Sequence, residues 1–205
     1  MSCRFFILTT ALALAACSGA DETNTGNVEG LGNGAATTAV EDSMAQGVGA
    51  VTAPVVNNAE AFVTNAAISD MYEIEAGRIA SGKARADEVR AFGEQMIKDH
   101  TATSTKLKEI VKSANIEGVT VPTTLDARRQ GMIDNLRQAT AEDFDTVYLD
   151  QQTAAHQEAL TLMQSYADDG ENDALKRFGS ETATKIQQHY DHVQKLDEVG
   201  ADDGQ

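Results

Sequence analysis

After position 58, apolar side chains recur every three or four residues, the spacing that gathers them on one face of successive helices. The clearest run is Val89, Phe92, Met96, His100, Thr103, Leu107 and Ile110, which predicts a helix from about Ala86 to Ala114. An earlier helix is predicted from about Ala59 to Ser81, ending near Gly82. Gly118 and Pro122 break the pattern between Asn115 and Thr124. A shorter helix from about Leu125 to Gln138 follows, with Leu125, Met132, Ile133 and Leu136 on its apolar side. A broad apolar helix from about Glu142 to Ala167 carries Phe144, Val147, Tyr148, Ala155, Ala159, Leu162 and Met163. The chain turns at Asp168-Asp169-Gly170, and the last helix reads Leu175, Phe178, Thr182, Ile186, His189, Val193, Leu196.

This order of elements predicts an all-α domain over residues 59–199, followed by a disordered tail at 200–205. Short turns join the long helices within each half, and a long connection joins the halves. That is the connectivity of a ferritin-like four-helix bundle, with a crossover carrying the short extra helix. The alternative is a plain antiparallel bundle with the short helix as a fifth member.

The first 58 residues follow other rules. Arg4 precedes the apolar run Phe5 to Ala16, which is too short to span a bilayer and suits a secretory signal. The run closes on Leu14-Ala15-Ala16-Cys17, which resembles a bacterial lipobox: small residues before the cut, then a thiol that accepts diacylglycerol. The expectation is a lipoprotein signal peptide at 1–16, with Cys17 lipidated. Cleavage there removes Cys3 and Arg4, which leaves no partner for an intramolecular disulfide and takes the formal charge from −16 to −17. Ser18, where an Asp resembles an inner-membrane retention signal, implies the outer membrane, with the protein facing the periplasm. From Ser18 to Asn58 there are seven glycines and no aromatic residue, so the segment cannot bury enough apolar surface to offset its ordering entropy. Residues 17–58 are therefore expected to be a flexible tether, with an end-to-end distance of roughly 35 Å.

Composition narrows the functions. With 16 basic against 32 acidic residues, the surface repels phosphate backbones and anionic headgroups. Nucleic-acid binding is excluded as an expectation, the membrane is reached through the lipid anchor only, and any protein partner is left unspecified. Aromatic residues make up 5% and Trp is absent, so the core must be aliphatic and Ala-rich, which favours helices over a sandwich or barrel.

Several stretches carry a family likeness: Ala61-Phe62-Val63, Met71 to Ala80, Ala91 to Thr101 with its Phe-Gly-x-x-Met-x-x-Asp-His run, and Gln187-Gln188-His189. They resemble a bacterial family of unknown function whose members are usually described as exported or outer-membrane proteins, and which is similar to ferritin-like bundles. The resemblance covers about Ala59 to Leu196, and its polar marks fall on Glu73, Asp99, His100, His156 and His189. It implies a fold and an envelope location but no established activity.

All four histidines lie in the helical part, and His100, His156 and His189 fall on inward faces. A buried imidazole needs a polar partner, which can be a carboxylate or a metal. One reading is a metal site, Fe or Zn, formed by His100, His156 and His189 with Glu73, and with Glu75, Asp70, Asp99 and His192 as secondary candidates. The other is that each His is a satisfied core residue and no cofactor is expected. Ferritin-like di-iron sites use Glu-x-x-His pairs, but Ile97, Thr153 and Ile186 stand three residues before the three histidines, so a conventional di-iron oxidase is not expected.

Register adds a second test. A first turn centred near Lys83–Ala84 puts His100 level with Ala67–Ile68, with Glu73 about 7 Å away along the axis and Asp70 closer. His156 and His189 are offset by only about 4 to 5 Å. His189 and His192, three apart, are a further weak pair for an exposed ion. Asp99 next to His100 is not read as its partner, because adjacent helical residues point about 100° apart. Gly77, Gly93 and Gly179 inside helices suggest close helix contact. No phosphate loop, nucleophile elbow or catalytic thiol is present, so no catalytic residue is assigned. Three functions follow: a non-catalytic binding, structural or stress-related envelope module; a ferritin-like metal-binding or redox protein; and, disfavoured for lack of a two-lobed α/β pattern, a solute-binding protein.

Overall fold

Asn58 accepts a hydrogen bond from the Ala61 N–H at 2.8 Å and starts the first of five helices. The computed structural model describes residues 57–114 and 116–202, which contain these helices and, among the described residues, no strand. They are α1 (Ala59–Lys83), α2 (Asp87–Ser113), α3 (Ala127–Gln138), α4 (Phe144–Asp169) and α5 (Asp173–Asp202). The signal segment, Cys17 and nearly all of the tether expected from the sequence lie outside the described residues.

The four long helices form two hairpins, α1 with α2 and α4 with α5, and α1 also packs on α4 while α2 packs on α5. Side chains at the hairpin ends show how the pairs are docked. Asp145, in the first turn of α4, accepts from the Arg85 and Ala86 N–H groups at 3.0 and 2.9 Å, so it pins the backbone that enters α2, whose N-cap Ala86 offers no side-chain cap. At the other end, Glu171 of the α4–α5 turn accepts from the Ala59 N–H at 2.8 Å. Together these contacts make α1 antiparallel to α4, so the α2–α4 connection has to travel the length of the helices. Helix α3 lies on that path against α1 and α4, where Lys83 Nζ donates to the Leu136 and Arg137 carbonyls that end it.

Glycines set the spacing inside each hairpin. A Cβ on Gly77 would stand 2.6 Å from the Gly93 carbonyl oxygen, and one on Gly179 would stand 2.9 Å from that of Met163. No larger residue fits without separating the helices, which is the close contact expected from the sequence.

The buried apolar residues fall into two clusters, one towards each end. One is built around Phe62, Leu107, Tyr166 and Phe178, with Phe62 and Tyr166 stacked at 3.9 Å between ring centroids. The other is built around Tyr72, Phe92, Met96, Ile133, Phe144 and Tyr148. Asp70, Glu73, His100, Gln152, His156 and His189 are also buried but belong to neither cluster.

Helix boundaries differ from the sequence expectation where polar side chains decide them. Asp126 accepts from the Arg129 N–H at 2.7 Å, so α3 starts at Ala127 rather than Leu125. Helix α1 runs through Gly82, beside which nothing packs, to Lys83. Gly77 opposite Gly93, and Asp70 opposite His100, therefore centre the first hairpin at Arg85 and not at Lys83–Ala84. Helix α5 continues past residue 199 to Asp202. No described helix is long and apolar enough to cross a membrane.

Candidate metal centre

Three helices each place one histidine in the polar layer: His100 from α2, His156 from α4 and His189 from α5, at 3%, 1% and 1% exposure. Each continues an apolar stripe of its helix, so the packing that buries the stripe buries the imidazole. The ring centroids are 5.9 Å apart for His100 and His156, 5.6 Å for His100 and His189, and 5.5 Å for His156 and His189. One ring nitrogen from each lies within 4.8 Å of one from each of the others.

Each ring is held from behind by an oxygen. His100 Nδ1 lies 2.8 Å from Asp70 Oδ1, His189 Nε2 lies 2.9 Å from Asp99 Oδ2, and His156 Nδ1 lies 2.9 Å from the Gln152 carbonyl oxygen. A carbonyl or carboxylate oxygen can only accept, so the facing ring nitrogen carries the proton. In a neutral ring the other nitrogen is then an unprotonated lone pair. Those other nitrogens, His100 Nε2, His156 Nε2 and His189 Nδ1, are buried and have no hydrogen-bond partner among the described residues.

Carboxylates surround the rings unevenly. Asp70 also accepts from Ser104 Oγ at 3.2 Å, and Asp99, at the rim, has Lys185 Nζ 4.0 Å away. Glu73, 1% exposed, has neither kind of support. Its Oε1 is 3.9 Å from His156 Nδ1, whose proton goes to Gln152, and its Oε2 has no partner among the described residues. The nearest buried guanidinium, Arg129, pairs with Glu158 at 3.0 Å and lies over the Tyr72 ring.

Burial and these neighbours set the proton affinities. Burial lowers His189 to about 4, outweighing its bond to Asp99. It also lowers His156, against the pull of Glu73. Both rings are therefore neutral at pH 7, as metal ligands must be. Burial alone would lower His100 as well, but the bond and charge of Asp70 outweigh it and the imidazole is raised. Asp70 is itself raised by burial, so this pair holds an additional proton, which an ion at His100 Nε2 would have to displace. Burial would raise Asp99, but His189 and Lys185 outweigh it and the carboxyl is lowered.

The residues singled out in the sequence thus separate into groups. His100, His156 and His189 converge, Asp70 and Asp99 stand behind two of them, and Glu73 stands beside the third. Glu75 is elsewhere, bonded to Arg137 at 2.8 Å and Arg78 at 3.5 Å on the outer side of α1. His192 is exposed, edge-on to Phe92, and does not share a site with buried His189, so the expected weak pair is not formed. Each ring has a hydrogen-bond partner at one nitrogen among the described residues. Sequence reasoning missed Ser104 and Gln152. Gln152 lies four residues before His156 on its inward stripe, a spacing that could have identified it.

Residues 44–196 match the family described as a domain of unknown function, DUF4142, and the chain belongs to that family. No curated protein and no solved structure matches it.

Proposed function

We propose, from the three converging imidazoles, that this chain binds a single transition-metal ion, Fe or Zn, through His100, His156 and His189. The observation that carries the reading is that three buried rings each use one nitrogen on an oxygen and leave the other bare. A buried polar atom without a partner costs about 1 to 3 kcal/mol, and one ion relieves three of them together. The outer bonds of His100 and His189 have the form of carboxylate–histidine–metal triads, in which the carboxylate fixes the tautomer and raises ligand basicity. A cation also offsets Glu73, which among the described residues is the one central carboxyl group with no hydrogen bond. Three imidazoles suit Zn, Fe or other late first-row ions, and leave at least one coordination position to a non-protein ligand.

The architecture and address complete the proposal. Two hairpins joined by a full-length crossover are the connectivity of a ferritin-like four-helix bundle. With no Glu-x-x-His pairs, and with Asp70 and Asp99 turned to histidines, the reading is one ion rather than two. Leu14-Ala15-Ala16-Cys17 supports export and lipid anchoring at Cys17, with Ser18 pointing to the outer membrane and the helical domain facing the periplasm.

Metal analysis of the full chain, purified without chelator or histidine tag, tests the binding reading. The expected result is about one transition-metal equivalent per chain, lost in His100→Gln and in His189→Gln. Metal retained equally by both folded variants would overturn it.

A further inference from the structure

Beyond the three histidines, the polar layer contains unpartnered atoms that an ion among them does not serve. Glu73 Oε2, Gln152 Oε1, Gln152 Nε2 and Tyr148 OH are each buried from solvent and make no well-formed hydrogen bond among the described residues, although the Tyr72 phenol lies close to the Gln152 side chain. They come from two antiparallel helices in contact, α1 and α4. Glu73 is beside His156, and Gln152 and Tyr148 follow one and two turns away on α4, about 6 and 12 Å along its axis. Phe92, Met96 and Phe144, all wholly buried, belong to the same apolar cluster as Tyr148.

We propose that Glu73, Gln152 and Tyr148 line a narrow chamber beside the metal centre, which takes water-sized, uncharged hydroxylic ligands and excludes anions. The demands of the four atoms select this chemistry. Glu73 Oε2 and Gln152 Oε1 call for donors, whereas Gln152 Nε2 calls for an acceptor and Tyr148 OH uses either. A bare cation leaves the amide donor unserved. An anion meets the Glu73 carboxyl group and has nothing to give Gln152 Oε1. Water, which donates twice and accepts twice, meets either demand, and because the atoms are spread over two turns of α4 more than one is needed, each with two to four polar partners. Tyr148 is raised well above the usual phenol range, by burial first and then by the charge of Glu73, so it faces the chamber as a neutral O–H.

The position beside the ion rests on the metal reading above, whereas the chamber itself does not, and two measurements separate them. The first uses the metal-free full chain with chelator present. Gln152→Met keeps the length of the side chain and removes its hydrogen bonding. If water bridges the amide, Tm falls by about 2 to 4 °C, because the water's other partners are stranded. If the amide is unpaired, the apolar replacement leaves Tm unchanged or raises it, and the chamber is overturned.

The second loads the full chain with Co²⁺ and follows its visible spectrum as azide is added. Glu73→Gln is expected to bind azide about tenfold more tightly than the wild type or better, the effect of removing one nearby negative charge, with Co²⁺ affinity little changed. Equal azide affinities would overturn the exclusion of anions by Glu73. A loss of Co²⁺ affinity of about a hundredfold in Glu73→Gln would make it a ligand instead and overturn it too. A wild type that takes up no Co²⁺ would overturn the metal reading, and the Gln152→Met result would still decide the chamber.

Discussion

Asp70 on α1 and His100 on α2 lie 30 residues apart in the chain, yet their Oδ1 and Nδ1 atoms are 2.8 Å apart and both side chains are 4% exposed. The hairpin that joins them was set by glycines. Gly77 and Gly93 let α1 and α2 approach closely, and the register they impose brings Asp70, not Glu73, level with the imidazole.

Asp70→Asn keeps the shape of that pair and removes its charge. The affinity of the full chain for Zn²⁺ is expected to fall about 10- to 100-fold, measured by competition with a chromophoric chelator. An unchanged affinity would mean that Asp70 only fills space behind the ring.

Metal binding should appear as stability. At a free metal concentration of about 100 Kd, the wild type is expected to gain about 2.7 kcal/mol, read as a rise in Tm. His100→Gln, His156→Gln and His189→Gln should each lose that gain. His192→Gln, altering an exposed ring outside the cluster, should keep it.

In the metal-free chain, acid should be destabilising across a defined window. His189 is lowered to about 4 from 6.5, and His156 is lowered in the same direction. Below pH 6.5 the unfolded chain takes up protons at these rings that the folded chain refuses, so stability falls as pH drops from 6.5 towards 4. His189 alone accounts for at most about 3 kcal/mol of that loss. Urea denaturation at intervals of pH checks the sign, and stability that rises over this range would contradict the burial of neutral rings.

Gly77→Ala tests the close approach of α1 and α2. Its Cβ would stand 2.6 Å from a backbone oxygen that cannot move without its helix. The expected cost is about 1 to 3 kcal/mol, despite the better helix propensity of Ala. Gly82→Ala, where nothing lies within 4 Å, should instead be neutral or stabilising in the same thermal scan.

Cys17→Ala tests the address. It is expected to move the protein from the membrane fraction to the soluble fraction, because no described helix is long and apolar enough to cross a membrane and the chain's acidic charge repels anionic headgroups. Unchanged membrane recovery would remove the lipobox reading.

The sequence by itself determined the helices, their order and which faces turn inward, because the three- and four-residue spacing of apolar side chains is a local property of the chain. It also identified the inward histidines and the glycines at helix contacts. It did not settle which atoms meet. Asp99 adjoins His100 in the chain and points away from it, but it bonds His189 from 90 residues away, because only the packing of α5 against α2 brings them together. The expected height of Glu73 shifted with a hairpin centre that moved to Arg85, and one residue of register is about 1.5 Å along a helix, enough to make or miss a contact. Gln152 shows in the sequence only as a position on the inward stripe of His156, and gains its place because its carbonyl holds that ring while its amide is buried. Tertiary structure decided the proton positions on the three rings, since a ring's tautomer depends on the oxygen packed behind it, and that oxygen comes from a neighbouring helix for His100 and His189 and from the same helix for His156.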